Sequence, residues 1–215
     1  EGGVVSLEPP GAIWTIPLDI NNRREVVGRY MDEEFRWHGF LWTSAAGFRT
    51  VDVQPGRDNV LMGIDASGTV VGYAGDTLLG TDAFVIRRGV VETLQNPFGY
   101  AVTVPTGISE NGTIVGYLTE PSPSRGFILR NGEWRTIDSP TGGDLAFYDI
   151  SPAGTIVGEA AGLELFSFAF RGGGFTEIGR VPLSVRGVNG SELFVGSMNE
   201  PVGHFHAVRW RRTGP

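Results

Sequence analysis

The segment Gly107–Tyr117, GISENGTIVGY, is the repeating unit of this sequence. It predicts the end of one short strand, a tight polar turn at Ser109–Gly112, and a second strand that ends at Tyr117. Four other segments repeat the pattern: DINNRREVVGR ending at Arg29, GIDASGTVVGY ending at Tyr73, DISPAGTIVGE ending at Glu159 and GVNGSELFVGS ending at Ser197. The glycines that precede these final residues are 44, 44, 42 and 38 residues apart. Copies at such regular spacing predict a repeat architecture.

Each copy contains short apolar runs that are separated by turn signals. In the third copy the runs are 104–108, 113–118, 126–129 and 134–137, and the Asn131-Gly132 pair between the last two is a strong hairpin signal. Four antiparallel strands in about 40 residues are typical of a propeller blade. We therefore predict an all-β fold, a five-bladed β-propeller in a single domain. Its blades are expected at about 16–52, 60–95, 104–138, 146–179, and 184–215 together with 3–8.

The two ends of the chain supply the reason for joining residues 3–8 to the last blade. The fifth copy stops after three strands, and the segment from Val4 to Pro9 matches the fourth strand of the third copy, Trp134–Pro140. The N-terminal strand is thus predicted to complete the last blade and close the ring, which removes an exposed sheet edge. An open five-repeat solenoid is the alternative, and it leaves this strand unexplained.

Composition narrows the classes of partner. The formal charge of −7 argues against binding to nucleic acid or to an anionic membrane surface. No apolar run approaches the roughly 18 residues of a membrane span. The first residues do not have the pattern of a signal peptide, which a mature or trimmed chain would have lost. The absence of cysteine excludes disulfides and thiol chemistry. We expect a monomer without membrane insertion.

Two further motifs carry a resemblance to a known family. HGFLW at His38–Trp42 and HAVRW at His206–Trp210, together with the repeated G-I-[ND]-x-x-G-x-[IV]-V-G-Y segments, resemble the bacterial HAF-type repeat family, whose members are described as extracellular repeat proteins. The resemblance implies a secreted or periplasmic location, although a cytoplasmic one stays open. It implies no shared chemistry, and the motif histidine is replaced in three copies by Asp82, Arg125 and Phe166.

Three sets of equivalent positions differ from copy to copy while the turns and core positions repeat. We call the five regularly spaced glycines the marker glycines, and the residues that follow them are Arg29, Tyr73, Tyr117, Glu159 and Ser197. The second set, one residue in the first strand of each copy, is Leu18, Met62, Thr106, Tyr148 and Arg186. The third set, the position of the motif histidine, is His38, Asp82, Arg125, Phe166 and His206. A multivalent lectin should repeat its contact residues in every copy. The divergence instead predicts one asymmetric small-molecule pocket at the axis, on the face with the longer and more varied loops.

The residues of that predicted pocket have distinct chemistry. Glu159, Asp149 and Tyr148 are the candidate catalytic groups, for acid–base chemistry of a cyclase, isomerase or hydrolase type without a cofactor. The candidate ligand-binding residues are Arg29, Tyr73, Tyr117, Arg186, Trp14, Met62, His38 and His206. Each has a structural alternative: ion pairing between blades for the charged residues, packing for the tyrosines, and capping of backbone amides for Asp149.

Other functions stay open at this point. A non-catalytic carbohydrate-binding propeller would use the loop aromatics Trp14, Trp37 and Tyr100, and a protein-interaction scaffold would use the whole loop face. His204 and His206 lie on one side of a strand, as a metal pair requires, but a structural role is simpler and no metal is predicted. The sequence contains no serine-hydrolase, phosphate-loop, zinc-protease or dinucleotide motif.

Overall fold

A computed structural model describes residues 6–76, 80–162, 164–180, 183–199 and 205–211, and it divides the chain into two compact units, residues 1–95 and residues 96–215. The described residues form antiparallel sheets joined by short turns, and they contain no helix that could span a bilayer. The chain is an all-β five-bladed propeller, with four strands in four of the blades and three in the fifth. The predicted fold class is confirmed.

The first unit holds two blades. The strands of the first are β1 (Trp14–Ile20), β2 (Val26–Met31), β3 (Trp37–Thr43) and β4 (Gly47–Thr50), and those of the second are β5 (Asn59–Ile64), β6 (Val70–Asp76), β7 (Gly80–Arg87) and β8 (Val90–Thr93). In each blade the strands are hydrogen-bonded in sequence order. Buried apolar side chains of both blades, among them Val27, Leu61 and Phe84, form a shared core within this unit.

The second unit holds three blades. Their strands are β9 (Val102–Ile108), β10 (Ile114–Thr119), β11 (Arg125–Arg130) and β12 (Glu133–Ile137); β13 (Leu145–Ile150), β14 (Ile156–Ala161), β15 (Leu165–Arg171) and β16 (Gly174–Arg180); and β17 (Leu183–Val188), β18 (Leu193–Asn199) and β19 (Phe205–Arg211). The third and fourth blades share a core built around Val115, Phe147 and Phe168. A second cluster, which includes Val157 and Val185, joins the fourth blade to the fifth.

Half of the predicted N-terminal strand, residues 3–5, lies outside the described residues. Of the rest of that segment, residues 6–8 are not in a strand, and Leu7 packs against Val26, Tyr30 and Phe40 of the first blade. Three strands of the fifth blade are described, and the strand expected to complete that blade stays a prediction.

A β-bulge recurs at the same place in the first strand of every blade. The pairing of the first strand with the second skips one residue each time, and the skipped residues are Leu18, Met62, Thr106, Tyr148 and Arg186. A bulged residue has no partner in the ladder, so its side chain can be aimed differently from those of its neighbours. These residues are one of the three sets that the sequence marks as divergent, so the divergence coincides with a backbone irregularity.

The marker glycines are explained by the same bulge. A Cβ added at Gly158 would overlap the carbonyl oxygen of Ala146 on the bulged strand, and the other four marker glycines face an equivalent oxygen. In the first four blades a buried phenylalanine lies directly across the next strand and packs over the glycine; these are Phe40, Phe84, Phe127 and Phe168. The repeat therefore conserves glycine because the first strand approaches too closely for any side chain.

Aspartate at the position after the bulge links adjacent blades. Asp149 accepts hydrogen bonds from the backbone N–H groups of Ile150, at 2.7 Å, and Val188 in the next blade, at 2.8 Å. Asp19 does the same in the first unit, with the N–H groups of Ile20 and Ile64. These carboxylates satisfy backbone donors, which is the capping role that the sequence offered as the alternative to catalysis for Asp149.

Candidate functional site

Three of the divergent residues come together at the junction of the fourth and fifth blades. The hydroxyl of Tyr148, on the bulge of β13, donates a 2.8 Å hydrogen bond to Oε2 of Glu159 on β14. The guanidinium of Arg186, on the bulge of β17, lies 3.7 Å from the same oxygen and 4.2 Å from the centre of the Tyr148 ring. We call Tyr148, Glu159 and Arg186 the bulge cluster. Two consecutive bulges thus place their side chains around one carboxylate.

Burial differs sharply across the bulge cluster. The Glu159 side chain is 8% exposed, whereas that of Arg186 is 56% exposed. The Tyr148 hydroxyl donates its hydrogen bond to Oε2 of Glu159. A buried carboxylate is costly unless it is hydrogen-bonded or paired with a charge. Tyr148 and Arg186 therefore hold the Glu159 carboxylate in place at Oε2.

The electrostatics of the cluster fix the protonation state of the tyrosine. Burial raises the pKa of Tyr148 well above its ordinary value of 10.0, the negative charge of Glu159 raises it further, and Arg186 acts in the opposite direction. The phenol consequently keeps its proton at every physiological pH and acts as a hydrogen-bond donor. The cation–π contact with Arg186 packs one side of the ring.

A second group of predicted residues meets in the first unit. The guanidinium of Arg29 lies 4.1 Å from the centre of the Trp37 ring, and Trp37 is 6.3 Å from Trp14, ring centre to ring centre. Trp14 is 62% exposed, and Nε of Arg29 is buried without a hydrogen-bond partner among the described residues. Burial raises the pKa of Tyr73, an effect that the charge of Arg29 opposes. This aromatic and cationic surface is able to stack on the apolar face of a ring-shaped ligand.

His38 has a structural role. Its Nδ1 is 2.7 Å from Oδ2 of Asp52 and its Nε2 is 2.9 Å from Oδ2 of Asp32, and the ring stacks on Tyr30. Burial alone would lower the pKa of His38, but the hydrogen bonds and the negative charges of the two aspartates outweigh it, so the pKa is raised. The sequence did not identify either aspartate. The signal that could have found Asp32 is its position across the β2–β3 hairpin from the histidine.

The other predicted residues are described by their own strands. Met62 and Tyr117 are half-buried on β5 and β10, and the exposed His206 pairs with Met198 in the β18–β19 ladder. His204 lies outside the described residues. Among the residues that the structure describes, no three or more histidine, aspartate or glutamate side chains form a group able to hold a metal.

The sequence matches no protein-family model and no curated protein, so the resemblance to HAF-type repeats stays a prediction. Solved structures do match. TolB from Acinetobacter baumannii has a TM-score of 0.69 at 11% identity, over 90% of this chain and 51% of its own, so this chain spans about half of it. A catalytically inactive H270A virginiamycin B lyase from Staphylococcus aureus, solved with quinupristin, has a TM-score of 0.53 at 12% identity. The match covers 94% of this chain and 71% of the lyase chain.

A third match is a six-bladed propeller, the fucose-recognising fungal lectin of Aleuria aurantia, with a TM-score of 0.56 at 13% identity over 92% of this chain and 75% of its own. These proteins include a lyase and a lectin, and at such low identity each is similar to this chain in fold alone. The matches therefore establish a β-propeller fold and assign no family.

Proposed function

We propose that the second unit binds a small organic molecule at the bulge cluster and catalyses proton transfer there without a cofactor. The observation that carries this proposal is the buried Glu159 carboxylate, which accepts a hydrogen bond from Tyr148 and lies 3.7 Å from the exposed guanidinium of Arg186. A fixed, partly desolvated carboxylate within reach of a cation is suited to act as a general base.

The ligand chemistry follows from the charges. The exposed guanidinium of Arg186 offers hydrogen-bond donors to a carbonyl or carboxylate oxygen of the ligand. Glu159 would remove a proton from the carbon next to that carbonyl. The electron pair of the broken C–H bond would form a carbon–carbon double bond as the carbonyl π pair moves onto the oxygen, and Arg186 would stabilise the resulting enolate. Return of the proton from Glu159 to the same or another atom completes an isomerisation or racemisation. Tyr148 keeps the carboxylate oriented and does not itself lose a proton.

The test is exchange of carbon-bound hydrogen in D2O. A panel of 2-hydroxy acids, 2-oxo acids and lactones is incubated with the protein, and loss of the proton next to the carbonyl is followed by NMR. We expect exchange with at least one compound, abolished by Glu159→Gln and retained in Asp149→Asn. Since Asp149 caps backbone amides, that variant controls for the loss of a nearby carboxylate. Absence of exchange for every compound that binds would contradict the catalytic part of the proposal.

A second candidate, non-catalytic carbohydrate binding, is favoured by the surface of Trp14, Trp37 and Arg29. The exposed Trp14 ring is the kind of platform on which a sugar ring stacks. Quenching of tryptophan fluorescence by a monosaccharide series would test it. The expected result is quenching in the wild type that Trp14→Ala removes, and quenching unchanged by Trp14→Ala would contradict it.

A further inference from the structure

A separate cavity lies at the turn end of the third and fourth blades. Its volume is about 390 Å³, and its walls are formed by Asn111 and Thr113, by residues of β11, β12 and β15, and by the Pro152–Gly154 turn. Small-molecule sites have volumes of roughly 300–1,000 Å³, so this space is large enough for a compact ligand. The bulge cluster contributes no residue to the lining.

The polar part of this cavity is strongly cationic. Arg130, Arg135 and Arg171 line it, and no aspartate or glutamate does. None of the three forms a salt bridge with the described residues, whereas Arg57, Arg125 and Arg180 elsewhere in the chain do. The three arginines are exposed, and they line one cavity in a chain whose formal charge is −7. An anion in the cavity would be attracted by their combined positive charge.

The strand pairing explains why two of these arginines share a face. Ile128 and Arg130 are two residues apart on β11, so their side chains lie on the same side of the sheet. Arg135 on β12 is directly opposite Ile128 in the antiparallel ladder, on that same side. Arg171 ends β15, where the Gly172–Gly173 turn begins, and it reaches the cavity from the fourth blade.

The floor of the cavity is apolar. The half-buried Ile128 and the exposed Pro152 and Ala153 supply its accessible hydrocarbon. Beneath them lie Ile150, Ile156 and Phe170 of the core between the two blades. A ligand here would contact hydrocarbon on one side and guanidinium groups on the other. That combination selects an amphiphilic anion over a fully hydrated inorganic one, because burial of an apolar body adds to the charge interaction.

We propose that this arginine-lined cavity binds a small organic anion with an apolar body, whose carboxylate or other oxyanion is held by Arg130, Arg135 and Arg171. A nucleic acid would meet the repulsion of an acidic chain, so the occupant is a small molecule. The site is independent of the proposed proton-transfer reaction, and its success or failure leaves that proposal unaffected.

The experiment uses phenylacetate as the probe, with phenylacetamide as its uncharged counterpart and inorganic phosphate as an anion without an apolar body. Binding is followed in amide NMR spectra of the full chain, in which the signals of Gly154, Gly172 and Gly173 report on the cavity. We expect phenylacetate to shift these signals in a saturable way, and its binding should weaken as salt is added. Phenylacetamide and phosphate should each bind more weakly than phenylacetate by about tenfold or more.

Charge variants locate the binding. Simultaneous Arg130→Gln, Arg135→Gln and Arg171→Gln changes should weaken phenylacetate binding by about tenfold or more, since each removes a charged donor. The matched control carries glutamine at three exposed arginines of the first unit, Arg36, Arg49 and Arg88, and so loses the same net charge. It should bind phenylacetate as the wild type does. The spectrum outside the cavity shows that each variant is folded.

Three outcomes would overturn the proposal. The first is shifts by phenylacetate confined to residues outside the cavity. The second is equal binding of phenylacetate and phenylacetamide, and the third is equal weakening in the cavity variant and its control. Binding of phosphate as strong as that of phenylacetate would also contradict the role given to the apolar floor.

Discussion

Replacing Tyr148 with phenylalanine removes one hydroxyl and leaves the ring in place beneath Arg186. The hydroxyl donates the 2.8 Å hydrogen bond to Glu159, a carboxylate that is 8% exposed. A hydrogen bond to a charged group contributes about 1.5–3 kcal/mol, and an acceptor that is left buried keeps its desolvation cost. Arg186 is 3.7 Å away and half-exposed, so it can move toward the carboxylate and offset part of the loss. We therefore expect Tyr148→Phe to lower the free energy of unfolding by about 1–2 kcal/mol.

Urea denaturation followed by tryptophan fluorescence and circular dichroism measures this change. In the Glu159→Gln background the same substitution should cost about 1 kcal/mol less, since a hydrogen bond to a neutral amide contributes only about 0.5–1.5 kcal/mol. Tyr100→Phe is the matched control in the same unit, because the Tyr100 hydroxyl has no partner among the described residues; its cost should stay below about 0.5 kcal/mol. A loss for Tyr148→Phe no larger than that of the control, or equal in both backgrounds, would refute the reasoning.

Three further predictions concern the scaffold and are measured by the same denaturation assay. Gly158→Ala should lower the free energy of unfolding by more than about 3 kcal/mol, because the added Cβ would overlap a carbonyl oxygen. Gly154→Ala, at φ 83° with open space around it, should lower it by only about 1 kcal/mol. Similar losses in the two variants would contradict the close approach of the strands at Gly158. Asp149→Ala leaves two backbone N–H groups without their acceptor and should cost about 2–4 kcal/mol, and a cost below 1 kcal/mol would contradict the capping role. The pKa of His38 is raised in the folded state. The stability that His38 contributes relative to His38→Gln should therefore be complete below pH 6.5 and disappear as the pH rises through the raised pKa. A stability advantage that grows with pH would contradict the aspartate contacts.

The repeat was sufficient to predict the fold because its period and turn chemistry are local properties of the chain. The Asn131-Gly132 pair forms the hairpin between β11 and β12. The spacing of the glycines revealed the copies. It could not reveal the β-bulge that makes glycine necessary, because a register shift depends on how two strands pair.

The candidate site was predictable only as a set of divergent positions. Comparison of the copies selected Tyr148, Glu159 and Arg186 as candidates. They lie in contact because the bulges of the fourth and fifth blades occupy the same place in the first strand of each blade. The same comparison also selected Met62 and Tyr117, which divergence alone cannot distinguish from site residues. The cavity around Arg130 was missed because surface arginines at hairpins are ordinary in a sequence, and only the packing of two blades gathers them.

The most direct test of the account is a ligand-observed NMR screen of one library of hydroxy acids, lactones and monosaccharides against three proteins: the wild type, Arg186→Gln and Trp14→Ala. The account places small-molecule recognition at the bulge cluster, where an exposed guanidinium lies over Tyr148 beside a buried carboxylate. It predicts carbonyl-containing ligands whose signals are lost with Arg186→Gln and retained with Trp14→Ala. Ligands that survive Arg186→Gln and disappear only with Trp14→Ala would contradict it and place recognition on the tryptophan surface of the first unit.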